Sequence, residues 1–513
     1  MFKNLNRKDF HLFFHLFGFS LVVIGMSFSK VLMSLGTMLV LLNILVEADF
    51  KTYWGNLKSN SVIKWLVIYF LLHIIGFIWS TNYEYAIDDI RTKSTILILP
   101  LVLISKPITH QQLKLLYSLL VSSVILCSLI NFLNYNHIIG HRTYLDIREM
   151  SLFGSHIRFS ILIILSTSII YFHLKKDISN NLKLILILIA GWLLFYTFYS
   201  QVLTGIISLI TAILVITSIH LYRKNKLILI GICSILALSL YFLFNFLKPE
   251  IKSTINFNNL PKITAEGNPY KNDFTLRGIA ENGPISISIC DKELEREWNK
   301  KSAIDYYGRD SLNQRIRTTI IRYISSKNLS KDAVGINQLT SNDIQSIEKG
   351  IANINENKTG LISRLYGLKF QLQNNEDPNG HSLLQRLEFW RAAISIVKNN
   401  WLIGVGTGDV QIAFNKEYSL NDTKLKPENR LRAHNYYLTN IITFGIIGLI
   451  IFCTFIIVFI RFQLKNKNIL GLLFISIFCV TALIEDTIET QLGATIFAFF
   501  IAIYSMRKKE INV

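Results

Sequence analysis

Apolar residues in this chain fall in blocks, not in a repeating period. Runs of about 18 to 22 such residues recur, separated by short polar intervals rich in lysine. A helix of that length crosses roughly 30 Å of hydrocarbon. The pattern predicts about twelve spans, near 10–27, 29–47, 62–79, 92–106, 114–134, 156–174, 182–199, 203–221, 226–246, 437–460, 468–485 and 489–506. It is interrupted once at length, between 247 and 436, where composition turns soluble over a stretch long enough to be a domain. The chain therefore divides into 1–246 (nine spans), 247–436 (a large, mostly helical extracytoplasmic domain) and 437–513 (three spans).

Within 247–436, the patterns of 313–328 and 341–354 predict helices, and 275–290 alternates like a hairpin around Asn282-Gly283. Leu383, Leu387, Trp390, Ile394, Val397 and Trp401 recur at spacings of four and three, an apolar stripe along one helix face flanked by Arg386 and Arg391. Such a helix suits the membrane surface or a roof over the spans.

Composition supports the membrane reading. The chain is 51% hydrophobic and 17% charged, against about a quarter charged in soluble proteins. The net charge of +19 could suggest nucleic acid, but the lysines and arginines sit between apolar runs and not on one soluble face. Clusters such as Lys51/Lys58/Lys64, Lys175/Lys176/Lys183 and Arg461/Lys465/Lys467 all fall on one side if there are twelve spans. The positive-inside bias then places both termini in the cytoplasm and the large stretch outside. Lys3, Arg7 and Lys8 before the first run resemble a signal peptide, but no A-x-A-like site follows, so the run reads as an uncleaved span. The five cysteines are scattered, and only Cys290 lies in a soluble region, so no disulfide framework or structural metal site is expected.

Candidate chemistry gathers near the tenth span. In "WLIGVGTGDV", Gly404, Gly406 and Gly408 alternate and could cradle phosphate oxygens with backbone N–H groups; a plain turn fits equally well. "NRLRAHNYYL" places Arg430, Arg432, His434 and Asn435 at the lip of the span. A histidine can take a proton from a hydroxyl near neutral pH, and arginine forks suit a phosphate or pyrophosphate. A membrane-interface collar is the plainer reading. Glu485, Asp486 and Glu489 could bind a cation or steer a sugar, but read first as a solvated outer loop. His156 and Arg158 could line a donor groove or cap the sixth span. His381 reads as a surface residue.

His434-Asn435, nine residues, then Gly445-Ile446-Ile447-Gly448 fits the H-[NSQ]-x9-G-x-x-[GTY] pattern, and here the chain resembles the bacterial O-antigen ligase and O-antigen polymerase superfamily. "RLEFWRAA" (386–393), "GVGTGDV" (404–410) and "IEDTIETQLGATIFAFF" (484–500) are similar to its wider pattern. The resemblance implies an all-α polytopic fold of the GT-C type and a metal-independent glycosyltransferase without cofactor. It implies a multi-pass protein of the bacterial inner membrane that moves a glycan from undecaprenyl pyrophosphate to a sugar hydroxyl of lipid A–core. In that reading His434 activates the acceptor hydroxyl, with Arg386 and Arg432 at the pyrophosphate. Arg158, Arg391, Arg430 and the three glycines belong to the donor side, and Asn435 orients. Many members carry an arginine after a serine at the outer end of a middle span; here Ser200 is followed by Gln201, leaving Arg158 or Arg142 as substitutes. Gly445 and Gly448 are expected to let their helix pack closely on a neighbour and set the depth of His434. A polymerase of the same superfamily is the nearest alternative. A lipid-linked glycan transporter is the alternative of another class, which the scarcity of charge inside the spans disfavours.

Overall fold

The computed structural model describes residues 6–506 except 141, 143, 145–146, 223–233, 235–237, 239–240, 243, 248–259, 274–278, 281–282, 312–313, 358–364, 367–368, 370–377 and 380–381. The chain forms two compact units, 1–229 with 388–423 and 427–513, and 230–387 with 424–426. Residues 388–423 and 427–436, which the polarity pattern groups with the outer stretch, thus fold with the apolar helices.

The first unit begins with α1 (Arg7–Phe28), α2 (Lys30–Glu47), α3 (Phe50–Lys58), α4 (Ser61–Ile75), α5 (Tyr83–Ser105), α6 (His110–Tyr135), α7 (His156–Leu174), α8 (Asn180–Tyr199) and α9 (Leu203–Tyr222). The second unit contains α10 (Asp291–Lys301), α11 (Ile316–Ser326), α12 (Ala333–Asn337) and α13 (Ser341–Glu348) around Trp298, Tyr306, Tyr323 and Ile324. Its hairpin pairs β1 (Ile279–Ala280) with β2 (Gly283–Pro284), Ala280 opposite Gly283, as the alternation predicts. Asp343 ties this unit together: its carboxylate accepts from Tyr323 at 2.7 Å and pairs with Lys327 at 2.7 Å. His381 and most of 226–246 lie outside the described residues.

The chain continues with α14 (Ser382–Asn399), α15 (Val410–Leu420), α16 (Tyr436–Lys465), α17 (Ile469–Thr481) and α18 (Gln491–Ser505). Among the described residues seven helices are long and apolar enough to cross a membrane: α1, α2, α6, α7, α8, α9 and α16. The pair α3–α4, bent by 94°, makes up to eight. The remaining predicted spans differ for visible reasons. The first half of α5 carries Glu84, Asp88, Asp89, Arg91 and Lys93, while α17 and α18 are apolar but only 13 and 15 residues long. Helix α18 is buried from Leu492 to Ser505, packed among α1, α2, α5, α16 and α17, which is why it is apolar on every side. A side chain fixes its end, since Asn60 caps α4 and donates to the Ser505 carbonyl at 2.9 Å.

The apolar stripe of α14 lies beside the helix's buried face, with Leu383, Leu387, Trp390 and Val397 half-buried. The buried face is Leu384, Phe389, Ala392, Ala393 and Ile396, whereas Ile394 and Trp401 are more than half exposed. An outward apolar stripe suits a membrane surface.

Helix α16 is broken. Gly445 lies at φ 66°, ψ −165°, a backbone region essentially restricted to glycine. The break is filled by the loop after α14. Val405 and Gly406 donate their N–H groups to the carbonyls of Ile442 (2.8 Å) and Thr443 (3.0 Å), and Ile446 donates to the Trp401 carbonyl (2.8 Å). A Cβ at 445 would stand 2.1 Å from the Leu402 carbonyl oxygen. Gly448 answers to its own helix and not to a neighbouring one, because a Cβ there would stand 2.2 Å from the Phe444 Cβ.

Gly445→Ala is accordingly expected to destabilise the first unit by at least about 1–3 kcal/mol from backbone strain alone. Gly55→Ala, on α3 with nothing near its would-be Cβ, should be neutral or stabilising by about 0.5–1 kcal/mol. Thermal unfolding of the detergent-solubilised variants separates the two signs.

Candidate active site

The segment 430–435 is held by donors from α14 and α15. Gln411 donates to the Arg430 carbonyl (3.1 Å), Tyr418 to that of Leu431 (2.7 Å) and Trp390 to that of Ala433 (2.9 Å). The tryptophan of "RLEFWRAA" thus pins the peptide immediately before His434. Asn435 caps α16, its side-chain oxygen accepting from the N–H groups of Tyr437 (3.1 Å) and Leu438 (3.2 Å). Ncap chemistry explains why a short polar residue follows the histidine. Between these anchors His434 adopts φ 46°, the left-handed region that a non-glycine residue enters at a cost.

Glu485, Asp486 and Glu489 do not form a solvated loop. All three are buried, in the turn between α17 and α18, and they face His434 and Arg432. Asp486 accepts from the His434 N–H at 3.0 Å and from the Thr439 hydroxyl at 2.7 Å. Glu485 Oε2 lies 3.4 Å from His434 Nδ1, within ion-pair range although outside hydrogen-bond geometry. Phe389 packs on the imidazole with ring centroids 5.7 Å apart. The sequence hides this arrangement because a short charged turn between apolar runs looks like an exposed loop.

A buried ladder of alternating charge continues from here. Arg432 pairs with Glu489 (2.9 Å), Glu489 with Lys93 (2.6 Å), and Lys93 with Asp89 (2.9 Å). Arg432 also lies over the Tyr85 ring, 5.5 Å from its centroid. Burial alone would raise the Glu489 carboxyl, but Lys93 and Arg432 outweigh it and pull it down to about 2. Asp486 goes the other way: burial, and next the charge of Glu489, raise it above the ordinary carboxylate range. Asp89 and Lys93 are site residues that the polarity pattern does not single out, Lys93 falling at the start of the predicted span 92–106; their i,i+4 spacing beside an apolar run is the only sequence sign of them.

The other candidate residues lie as follows. Arg158 is buried at the start of α7. It is committed to Glu485 (3.5 Å) and to the carbonyls of Asp486 (3.1 Å) and Thr487 (3.4 Å), so Glu485 stands between His434 and Arg158. Arg391 is exposed and paired with Glu388 at 2.6 Å. Arg430 is half-buried. Arg386, half-buried on α14, falls in the second unit, whereas the cluster around His434 consists of first-unit residues. The N–H groups of the glycine loop are occupied inside the fold, those of Gly404, Thr407 and Gly408 by Asn400, Gly76 and Ser80. A turn locked to the break in α16 is therefore what these glycines form. Gln201 lies at φ 53°, and His156 lines a small cavity with Arg148 and Ser200. Arg142 is exposed, over the Tyr144 ring at 5.5 Å. Among the described residues no group of three His, Cys, Asp or Glu side chains is placed to hold a metal ion.

Many apolar helices, with a histidine and buried carboxylates gathered at one end of them, define a polytopic helical membrane protein with a buried polar cluster at a helix mouth. Residues 357–453 match the family model described as O-antigen ligase, a segment that contains Trp390, the glycine loop, His434 and Gly445. The match covers the same segment whose motifs resemble the O-antigen ligase and polymerase superfamily, and it supports that resemblance. No curated protein matches the chain significantly.

Two outcomes follow from the buried polar network. Glu489→Ala leaves Lys93 and Arg432 without their shared partner and should cost on the order of 3–5 kcal/mol, read as a large fall in Tm. Asn435→Ala should cost about 0.5–2 kcal/mol, and Asn435→Ser should restore most of it, because serine also caps. Full stability in the alanine variant would refute the capping role.

Proposed function

We propose that the chain is a metal-independent glycosyltransferase, O-antigen ligase in kind. It moves a glycan from undecaprenyl pyrophosphate to a sugar hydroxyl of lipid A–core at the periplasmic face of the bacterial inner membrane. The observation that carries this reading is the placement of His434: its Nδ1 faces a buried carboxylate while the residue keeps access to solvent at the mouth of α16. Glu485 favours the tautomer with the proton on Nδ1, which leaves Nε2 as the base. The acceptor hydroxyl gives its proton to Nε2, its oxygen bonds to the anomeric carbon, and the bond from that carbon to the pyrophosphate oxygen breaks. Glu485 then stabilises the imidazolium, and undecaprenyl pyrophosphate departs as the anion.

Arg432 is the cation beside His434 best placed for the pyrophosphate, since its side chain remains about one-fifth exposed while paired with Glu489. Arg386 is retained as a donor-binding residue on its motif position. Cations and carboxylates nearly balance around His434, so the donor would meet a compensated site in place of a bare patch of arginines. The lysine distribution between the spans supports cytoplasmic termini and a periplasmic site. A polymerase would use the same site and differ in its acceptor.

The test is complementation of a strain lacking its own ligase, with purified-protein kinetics alongside. His434→Ala should lower transfer by about 10²–10⁴-fold. Glu485→Gln should lower kcat with KM little changed and alter the pH profile. Normal capped lipopolysaccharide with both His434→Ala and Arg386→Ala would overturn the assignment. In a deletion strain, long chains left on the carrier identify a ligase, and single repeats on lipid A identify a polymerase.

A further inference from the structure

The helices that bear the site at one end enclose a second cavity at the other. It has a volume of about 600 Å³ and lies where α6 begins, α7 and α18 end, and α16 turns into α17. Helix α7 alone, at 19 residues, separates it from the His434 end by about 28 Å.

The charge in its lining is all positive, carried by three lysines beside two histidines, Asn466 and Asn468. His110, Lys114, His173, Lys176 and Lys467 come from three separate stretches of chain, and no aspartate or glutamate lines the cavity. None of the three lysines makes an ion pair among the described residues. Lys106 at the same end of the bundle shows the contrast, being neutralised by Glu47 at 2.6 Å. The three-residue connection that presents Lys467 holds it at φ 53°, a conformation that lysine adopts at a cost.

Much of the remaining wall is apolar, with Leu113, Ile169, Phe172, Ile469 and Ile503 from the bordering helices. Three lysines alone would suit a free phosphate ion or a nucleotide. Cations above a hydrocarbon wall, at the level where helices leave the membrane, suit an anion that carries a fatty chain. A general positive collar does not explain the concavity or the absence of carboxylates.

We propose that this cavity binds the phosphodiester headgroup of an anionic membrane phospholipid, with one acyl chain lying on the apolar wall. The lysines supply the charge, and the helix ends supply the shape. The site is separate from the donor site, and its test does not depend on transferase activity.

The full-length protein is purified in detergent and examined by native mass spectrometry and thermal unfolding. The added probes are phosphatidylglycerol, phosphatidylcholine of the same acyl chains, and inorganic phosphate. Phosphatidylglycerol should be retained and should raise Tm, while phosphatidylcholine and inorganic phosphate should not. Lys114→Gln/Lys176→Gln/Lys467→Gln should bind phosphatidylglycerol on the order of 100-fold more weakly, at about one kcal/mol per lysine. The charge-matched control Lys51→Gln/Lys58→Gln/Lys64→Gln removes exposed lysines outside the cavity and should bind as the parent does. Tm without lipid verifies that both variants are folded. Equal weakening in the control, undiminished binding in the cavity variant, or equal retention of phosphatidylcholine would overturn the proposal. Protection by inorganic phosphate alone would also overturn it, assigning the cavity to a small soluble anion.

Discussion

Two carbonyl groups released by the break in α16, those of Ile442 and Thr443, hold the outer end of the first unit together. In hydrocarbon such groups cannot be left without donors. The chain supplies the donors from the loop 401–408, and that commitment fixes everything the loop joins. On one side it sets α14, from which Trp390 reaches the Ala433 carbonyl. On the other it sets α15, from which Tyr418 reaches Leu431. The position of His434 is thus determined by a defect in a helix eleven residues later in the chain. The nine-residue spacing between the His–Asn pair and Gly445 is the distance from a helix cap to that defect.

The electrostatics follow from the same crowding. A histidine pressed among buried carboxylates needs cations nearby, or the carboxylates would take up protons. Lys93, Arg158 and Arg432 meet that need, each from a different part of the chain. Removing water from such a cluster strengthens every interaction within it and makes each member costly to lose. Asp486, raised by burial and by Glu489, is a place where that compensation is incomplete.

The local features were legible in the sequence. The apolar blocks marked seven or eight of the predicted spans among the described residues, and the motif reading picked out His434, Asn435 and Gly445 because their relation runs along one helix. What escaped were relations across the fold. Glu485 meets a histidine fifty-one positions away, and Lys93 meets Glu489 across nearly four hundred; no spacing rule spans such gaps. The stripe on α14 was read as a period suited to the membrane surface or a roof over the spans, and Ile394 and Trp401 on it are more than half exposed. The glycine loop was equally open to a phosphate cradle or a turn, and only the fate of its N–H groups decides between them.

The left-handed backbone of His434 has a practical side. The fold holds that residue against its own preference, through Asp486, the Ala433 carbonyl and the Asn435 cap. A glycine at 434 would occupy the same backbone without strain, so a protein lacking the histidine would be the more relaxed of the two. If His434 is the base proposed above, that variant would be the better vehicle for capturing donor and acceptor together, since neither would react and the scaffold receiving them is under less tension.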